Sequence, residues 1–295
     1  MKKSLSICLI IAFLTLTVIG ANKIKVASKS FTEGYILGHM VVALLENAGY
    51  QVDYQDGMSS FVIRSALVNH QIDLYVDYTG TAWIAYLKQE EIIPDPDLLL
   101  DKVREKDLEE NGIVWLEKIN FNNTYGLAVK EEFAEKHQLQ TLSDLSEYLS
   151  QESQILFGVN FDFFERPDGF FAMAEHYDML INRKNVKTME IGITYEALSR
   201  GNIDVAMVFS TDGKLDKYNL KVLDDDLNFF PIYNPAVCIR EEILNQYPAI
   251  PEVLKPLNKY LNPEIIRRLN FLVDTGEIEP EKIANDYLKV LELIN

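Results

Sequence analysis

The chain is poor in the residues on which disulfides, metal sites and nucleic-acid contacts depend. Its 295 residues include 2 cysteines and 4 histidines, and 28 Lys and Arg face 45 Asp and Glu, for a formal net charge of −17. Two cysteines cannot build a disulfide framework or a cysteine-rich zinc site. An acidic surface does not attract nucleic-acid phosphates or an anionic membrane. We therefore expect no nucleic-acid partner, no metal and no other cofactor.

Signatures of the common enzyme classes are also missing. The sequence has no glycine-rich dinucleotide motif after a strand, no phosphate-binding loop, no G-x-S-x-G and no H-E-x-x-H. The histidines are scattered beside predicted helices, without the spacing of metal ligands. The acidic run 224–226 lacks a second ligand cluster at the spacing of calcium sites, which favours a solvated loop. The chain is therefore predicted not to be an enzyme.

The N-terminus has the three-part plan of a secretory signal. A basic start is followed by the apolar run CLIIAFLTLTVI at 8–19 and by small residues at 20–21. The run is short for a hydrocarbon core of about 30 Å, although an uncleaved anchor is the open alternative. No cysteine for lipid attachment follows the run. We expect a signal peptide at 1–21 and a soluble protein of the periplasm or another extracytoplasmic space.

Behind this segment, predicted strands and helices alternate, which is typical of parallel, doubly wound α/β sheets. The stretch 24–27 reads as a strand, and Ser30 and Glu33 form an S-x-x-E pattern that predicts a capping box at the start of a helix. A third helix is predicted over 81–88. The alternation restarts near residue 125, and the tail after Pro231 reads as mostly helical.

An internal repeat suggests two similar α/β lobes. Its two copies, always 131 positions apart, contain Ala66-Leu67, Ile72-Asp73, Tyr78 and Thr79 in the first, and Ala197-Leu198, Ile203-Asp204, Phe209 and Ser210 in the second. Each copy is a helix end, a turn, a strand, and then an aromatic and a hydroxyl residue. Ligands of open α/β sheets bind beyond the carboxyl ends of the strands. Two facing lobes would therefore bring Tyr78 and Phe209 to one cleft.

Two basic residues at strand or loop ends are further candidates. Lys29 follows the first strand at the start of a helix, where backbone N–H groups favour an anion. Arg166 lies in a loop before a predicted helix. The alternatives are an ordinary surface lysine and a surface ion pair of Arg166 with Glu165 or Asp162.

Six ordered stretches resemble one family, the substrate-binding components of osmoprotectant ABC importers, which bind glycine betaine, carnitine, choline or proline betaine. The stretches are SKSFTEGYILG (28–38), DLYVDYTGTA (73–82), NNTYGLAV (122–129), FGVNFDFFERPDGF (157–170), YEALSRGNIDVAMVFSTDGKL (195–215) and LDDDLNFFPIYNPAV (223–237). The resemblance implies a two-lobed periplasmic-binding-protein fold of type II with two hinge crossings. Lobe 1 would comprise 22–122 and 232–295, and lobe 2 would comprise 123–231.

The resemblance also implies a site for the ligand. Its aromatic cage around a quaternary ammonium would consist of Tyr78, Tyr125, Phe209 and Tyr233, with Phe209 standing where relatives often carry tyrosine. The polar and carboxylate-binding residues would be Lys29, Arg166, Thr81 and Asn123. A trimethylammonium has no N–H to donate, so ring faces must recognise it.

The family further implies delivery of the ligand to a permease and, through it, to an ATPase, by a protein expected to be monomeric. Two alternatives remain open at this stage. The same lobes could bind another small solute, such as an amino acid or a polyamine, which a cleft carboxylate facing the ligand amine would favour. An enzyme on the same scaffold would need an acid–base pair converging in the cleft.

Overall fold

A computed structural model describes residues 23–152 and 154–295. The predicted signal peptide at 1–21 lies outside the described residues. Within these ranges, no helix combines the length and the apolar character needed to cross a membrane.

The first lobe is built on a five-stranded mixed sheet. Its strands are β1 (Ile24–Lys29), β2 (Val52–Met58), β3 (Leu74–Tyr78), β4 (Ile113–Lys118) and β10 (Pro235–Arg240). Their order is β2-β1-β3-β10-β4; β1 runs parallel to β2 and β3, and β10 is antiparallel to β3 and β4. The helices of this lobe are α1 (Thr32–Asn47), α2 (Ser60–Val68), α3 (Pro96–Asn111), α10 (Glu241–Gln246), α11 (Ile250–Leu254), α12 (Pro256–Tyr260), α13 (Pro263–Asp274) and α14 (Pro280–Val290).

The second lobe repeats this plan with a second mixed sheet. Its strands are β5 (Tyr125–Lys130), β6 (Phe157–Val159), β7 (Val186–Thr188), β8 (Val205–Phe209) and β9 (Leu220–Val222), in the order β7-β6-β8-β5-β9. Its helices are α4 (Glu131–His137), α5 (Leu142–Gln151), α6 (Phe161–Glu165), α7 (Phe170–His176), α8 (Ile191–Ser199) and α9 (Lys214–Lys217). The predicted α/β class with two lobes is confirmed.

The repeat found in the sequence corresponds to a repeated structure. Asp73, just before β3, accepts a hydrogen bond from the backbone N–H of Lys25, with 2.8 Å between the atoms. Asp204, just before β8, accepts the same kind of bond from Leu156, also at 2.8 Å. Each aspartate thus ties the start of a central strand to its parallel neighbour. As a result, the last residues of β3 and β8 reach corresponding ends of the two sheets.

Two chain segments connect the lobes and lie side by side. The backbone N–H of Asn123 donates to the carbonyl of Tyr233 at 3.0 Å, and the N–H of Tyr233 donates to the side chain of Asn122 at 2.8 Å. The side-chain amide of Asn234 donates to the carbonyl of Phe121 at 2.6 Å. These bonds fix both crossings at the base of the cleft.

One local prediction was wrong, and a second was right about the helix but not about its type. The helix α1 begins at Thr32 after Phe31 and has no side-chain cap, so Ser30 and Glu33 form no capping box. The backbone N–H of Ser30 donates instead to the carbonyl of Met58, and Glu33 is buried in the interior. The predicted third helix is a short π-helix, Thr81–Tyr86, whose first residue reaches the cleft.

Candidate functional site

The four predicted cage residues lie together at the cleft between the lobes. Tyr78 is the last residue of β3 and Phe209 the last of β8, while Tyr125 begins β5 opposite Phe209 in the sheet register. The Tyr125 ring centroid is 5.1 Å from that of Phe209 and 5.4 Å from that of Tyr233. All four side chains are buried and line one cavity.

A fifth ring, which no sequence pattern predicted, belongs to the same group. Phe31 lies 6.1 Å from Tyr78 and 5.4 Å from Phe209, measured between ring centroids. It comes directly before α1, in the same SKSFTE stretch as Lys29. The prediction assigned this stretch to the start of a helix, so its aromatic residue was not considered as a cavity wall. The five rings are called the aromatic cage below.

The cavity has a volume of about 500 Å³ and receives side chains from both lobes. Its inner part is the aromatic cage. The rest of its lining is mixed. It includes polar residues, namely Ser59 and Ser60 of the first lobe and Asn160, Asp162 and Glu190 of the second, together with the apolar side chains of Met58, Phe161, Met189 and Ile191. A solute of drug-like size fits such a volume, with its apolar or cationic end on the rings and its polar end at the rim.

Lys29 and Arg166, predicted to hold a carboxylate, are both buried and already paired with carboxylates of the protein. Lys29 forms an ion pair with Asp77, and its Nζ lies 5.2 Å from the centroid of the Tyr78 ring. Arg166 makes two bonds to Asp168, one of them 2.9 Å from Nε to Oδ1. The predicted alternative partners of Arg166, Glu165 and Asp162, are therefore wrong.

Arg166 turns its remaining nitrogen toward the cleft, although it is not itself part of the cavity lining. Nη1 donates to the hydroxyl oxygens of Thr81 and Tyr125, both at 3.3 Å. These are long hydrogen bonds. Because Thr81 and Tyr125 line the cavity, Nη1 stands directly behind its wall. The ion pair with Asp168 fixes the guanidinium in this orientation.

Asn123 and an unpredicted residue, Glu33, form a polar cluster behind the cage. The amide nitrogen of Asn123 donates to Glu33 Oε1 at 2.8 Å, while its Oδ1 is buried with no hydrogen-bond partner in the described part of the chain. The Tyr78 hydroxyl donates to the same Oε1 at 2.6 Å. No sequence pattern marked Glu33 as a cleft residue, because S-x-x-E is so common at helix starts.

Burial sets the protonation of the cage phenols. Desolvation raises the pKa of Tyr125 to about 12 and also raises the pKa values of Tyr78 and Tyr233 well above their ordinary value. The charged phenolate is disfavoured in such surroundings. The three hydroxyls therefore keep their protons over the physiological range, and that of Tyr78 donates to Glu33.

The acidic run at 224–226 has a structural role. Asp225 accepts hydrogen bonds from the backbone N–H groups of Phe229 and Phe230, both at 2.9 Å, and from the Tyr177 hydroxyl at 2.5 Å. It thus shapes the segment that leads into the second crossing. Across residues 23–152 and 154–295, no group of three or more His, Cys, Asp or Glu is placed to hold a metal ion.

Comparisons with known proteins identify the family of this chain. Residues 22–290 match the family described as the substrate binding domain of ABC-type glycine betaine transport system. A glycine-betaine-binding protein of Pseudomonas aeruginosa is 33% identical over 93% of this chain and 90% of its own. An ergothioneine transport permease/ergothioneine binding protein of Helicobacter pylori is 34% identical over 91% of this chain, which spans only 47% of that protein.

A solved structure gives the same result at the level of the fold. The crystal structure of a glycine betaine/carnitine/choline ABC transporter protein superposes with a TM-score of 0.70 at 28% identity, covering 92% of this chain and all of the other. The family model spans nearly the whole described chain, so the resemblance predicted from the six motifs is confirmed. The chain belongs to the family of substrate-binding domains of ABC-type glycine betaine transport systems, which bind solutes and are not enzymes.

Proposed function

We propose that this protein captures a quaternary ammonium solute of the glycine betaine, choline or carnitine type in the aromatic cage. The single observation that carries the proposal is the convergence of Tyr78, Tyr125, Phe209 and Tyr233, together with Phe31, on one buried cavity. Each ring face contributes about 0.5–2 kcal/mol to a desolvated cation. Micromolar affinity needs about 8 kcal/mol, so burial and polar contacts must supply the rest.

The other predicted residues would bind the carboxylate of a zwitterionic ligand. Arg166 Nη1 and Lys29 would hold a carboxylate, with Thr81 and Asn123 as neutral partners. The long bonds from Arg166 to Thr81 and Tyr125 support this role, since a ligand oxygen can replace either acceptor. A bond from a guanidinium to a carboxylate is charge-assisted and stronger than a neutral one.

Capture would proceed by closure of two lobes, 22–122 with 232–295 and 123–231, about the paired crossings. Both lobes contribute cage rings, so only the closed state makes every contact. The closed protein, exported to an extracytoplasmic space and monomeric, would deliver its ligand to a permease and, through it, to an ATPase. Family members serve ABC-type transport systems of this kind.

A second candidate is a larger betaine that carries an additional hydrogen-bonding group. The polar residues that line the cavity beside the cage, Ser59, Asn160 and Glu190 among them, support it, as does the volume of about 500 Å³. The Helicobacter pylori relative is described as binding ergothioneine, which is a betaine of this larger kind. Both candidates use the cage in the same way and differ only at the rim.

The proposal is tested by calorimetric titration of the mature protein with glycine betaine, choline, carnitine, ergothioneine, and a set of amino acids and polyamines. We expect saturable binding of at least one quaternary ammonium, weakened in Phe209→Leu, which keeps the apolar volume and removes the ring face. Phe171→Leu, at a ring of the second lobe outside the cavity, is the matched control. Binding only of primary amines by the folded protein would overturn the proposal.

A further inference from the structure

Glu33 is the point at which both lobes meet behind the aromatic cage. Its carboxylate is fully buried and accepts four hydrogen bonds. Tyr78 of the first lobe and Asn123 of the first crossing donate to Oε1, at 2.6 and 2.8 Å. Thr211 of the second lobe and Asn270 of α13 donate to Oε2, at 2.7 and 3.3 Å. One side chain thus joins a cage ring, the crossing and both lobes.

The hydrogen-bond pattern is that of an ionised carboxylate. Four groups point donors at its two oxygens, and a protonated carboxyl would need an acceptor for its own proton. Burial raises the pKa of Glu33 above its ordinary value, and the bonds from Tyr78, Thr211, Asn123 and Asn270 offset only part of that rise. All four partners are neutral. Both oxygens of the carboxylate therefore accept hydrogen bonds, but none of the groups that donate them is positively charged.

The two buried basic residues of the predicted site are balanced by carboxylates of the protein. Lys29 is paired with Asp77, and Arg166 with Asp168. Asp162 and Glu190 lie in the outer part of the cavity, where solvent screens them. The charge of Glu33 is different, because it is excluded from water and separated from the cage only by the Tyr78 ring and the Asn123 amide.

We propose that Glu33 is a positioning and specificity-determining residue whose negative charge, acting through Tyr78 and Asn123, makes the cage prefer a cationic head group to a neutral one of the same shape. This inference rests on the proposed capture of a quaternary ammonium. A phenol that donates to a carboxylate carries more electron density on its ring, which strengthens attraction to a cation. The same bond fixes the direction of the Tyr78 ring. The ligand ammonium then supplies the counter-charge that Glu33 lacks.

The test compares a ligand that carries a trimethylammonium group with the carbon isostere that lacks this positive charge. Choline is paired with 3,3-dimethylbutan-1-ol, and glycine betaine with 3,3-dimethylbutanoate, in which a tert-butyl group replaces trimethylammonium. Dissociation constants of the whole mature protein are measured by calorimetry, with the neutral analogue in competition at millimolar concentration. We expect Glu33→Gln to reduce the preference for the cation by about tenfold. Loss of a merely structural residue would weaken both ligands by the same factor.

Two further variants separate charge from packing. Tyr78→Phe keeps the ring and removes its bond to Glu33, so it should lose cation preference in part, and the double variant should lose less than the product of the single effects. This double-mutant cycle is measured with the cationic ligand alone. If Glu33→Gln does not fold, Tyr78→Phe is compared with the wild type for the ratio of cation to isostere affinity. Asp107→Asn is the control, since Asp107 is an equally buried carboxylate, bonded to Arg64 and Trp115, that does not line the cavity.

The outcomes separate the two proposals. If the wild-type protein binds no quaternary ammonium, the proposed function fails. If it binds one, and Glu33→Gln and Tyr78→Phe leave the ratio of cation to neutral affinity unchanged or change it no more than Asp107→Asn does, the role of Glu33 is overturned while the function stands.

Discussion

Asp162 of the second lobe accepts a hydrogen bond from the backbone N–H of Ser60 in the first lobe, with 3.2 Å between Oδ2 and N. Ser60 is the first residue of α2, and the side chain of the preceding Ser59 makes no capping bond. The carboxylate therefore caps this helix from across the cleft, where the helix dipole also favours a negative charge. The bond exists only while the lobes are together.

Loss of this bond should destabilise the closed state. We expect Asp162→Ala to weaken ligand binding by about 1 kcal/mol, the ordinary cost of a lost N-cap. The loss should appear as faster dissociation of the ligand. Asp162→Asn should lose less, because its amide oxygen can still accept. Stopped-flow tryptophan fluorescence measures both rates.

Glu165→Ala is the matched control, since Glu165 is an exposed carboxylate of the same helix α6. Its dissociation rate should equal that of the wild type. An effect of Asp162→Ala confined to the association rate would show that the bond does not hold the closed state.

The repeated halves of the fold could be predicted from the sequence because local contacts determine them. Asp73 and Asp204 each bond to a backbone N–H of the neighbouring strand, and each lies five positions before an aromatic residue at the end of its strand. Such a unit keeps its residues at a fixed spacing. The spacing of 131 residues therefore predicted that Tyr78 and Phe209 would face one cleft.

The contributions of Phe31 and Glu33 could not be predicted in the same way. Glu33 binds Thr211 and Asn270, which are 178 and 237 positions away in the sequence. Phe31 becomes a cavity wall only because β8 brings Phe209 against it. Pairings at such distances leave no periodicity or spacing in a single sequence. Glu33 also had an ordinary local explanation, a capping box at the start of α1, that proved to be wrong.

If Arg166 binds the ligand carboxylate, its substitution should weaken only those ligands that have a carboxylate. Arg166→Lys keeps a positive charge beside Asp168. It removes the planar guanidinium, whose Nη1 also donates to Thr81 and Tyr125. We expect glycine betaine to bind about tenfold or more weakly, as for a lost charged hydrogen bond, while choline is little affected. Arg183→Lys, at an arginine stacked on Phe164 and outside the cavity lining, is the control. Equal losses for both ligands would contradict the carboxylate role.

The contact between Gly213 and α13 predicts that this glycine is required for the lobes to approach. A Cβ placed on Gly213 would lie 2.4 Å from Cβ and 2.6 Å from Cα of Phe271, and a backbone atom cannot move aside. Gly213→Ala should displace the loop that carries Thr211 and so weaken ligand affinity. X-ray scattering with saturating ligand should show a more extended protein. Gly192→Ala, which would meet only the flexible end of Lys214 at 3.2 Å, should behave as the wild type.

A buried carboxyl between the lobes should make stability depend on pH. Asp212 accepts a hydrogen bond from the Tyr195 hydroxyl, and burial, with the nearby charge of Asp274, raises its pKa to about 8 from 3.8. Between these values the unfolded chain releases the proton that the folded protein retains. The folded state thus loses stability as the pH rises through this range, by about 1.4 kcal/mol for each pKa unit of difference at most. Below pH 3.8 the group contributes no such loss, and above 8 the loss is constant.

Asp212→Asn removes this titration and keeps an oxygen that can accept from Tyr195. Urea unfolding of both proteins at several pH values should therefore show a free energy of unfolding that favours the variant increasingly from pH 4 to 8 and then levels off. Asp107→Asn serves as the comparison, because Asp107 is paired with Arg64 and its loss should destabilise the protein across this range. A constant difference between Asp212→Asn and the wild type would mean that Asp212 is already ionised in the folded protein at pH 4. In that case its neighbours, rather than its own protonation, must compensate its burial.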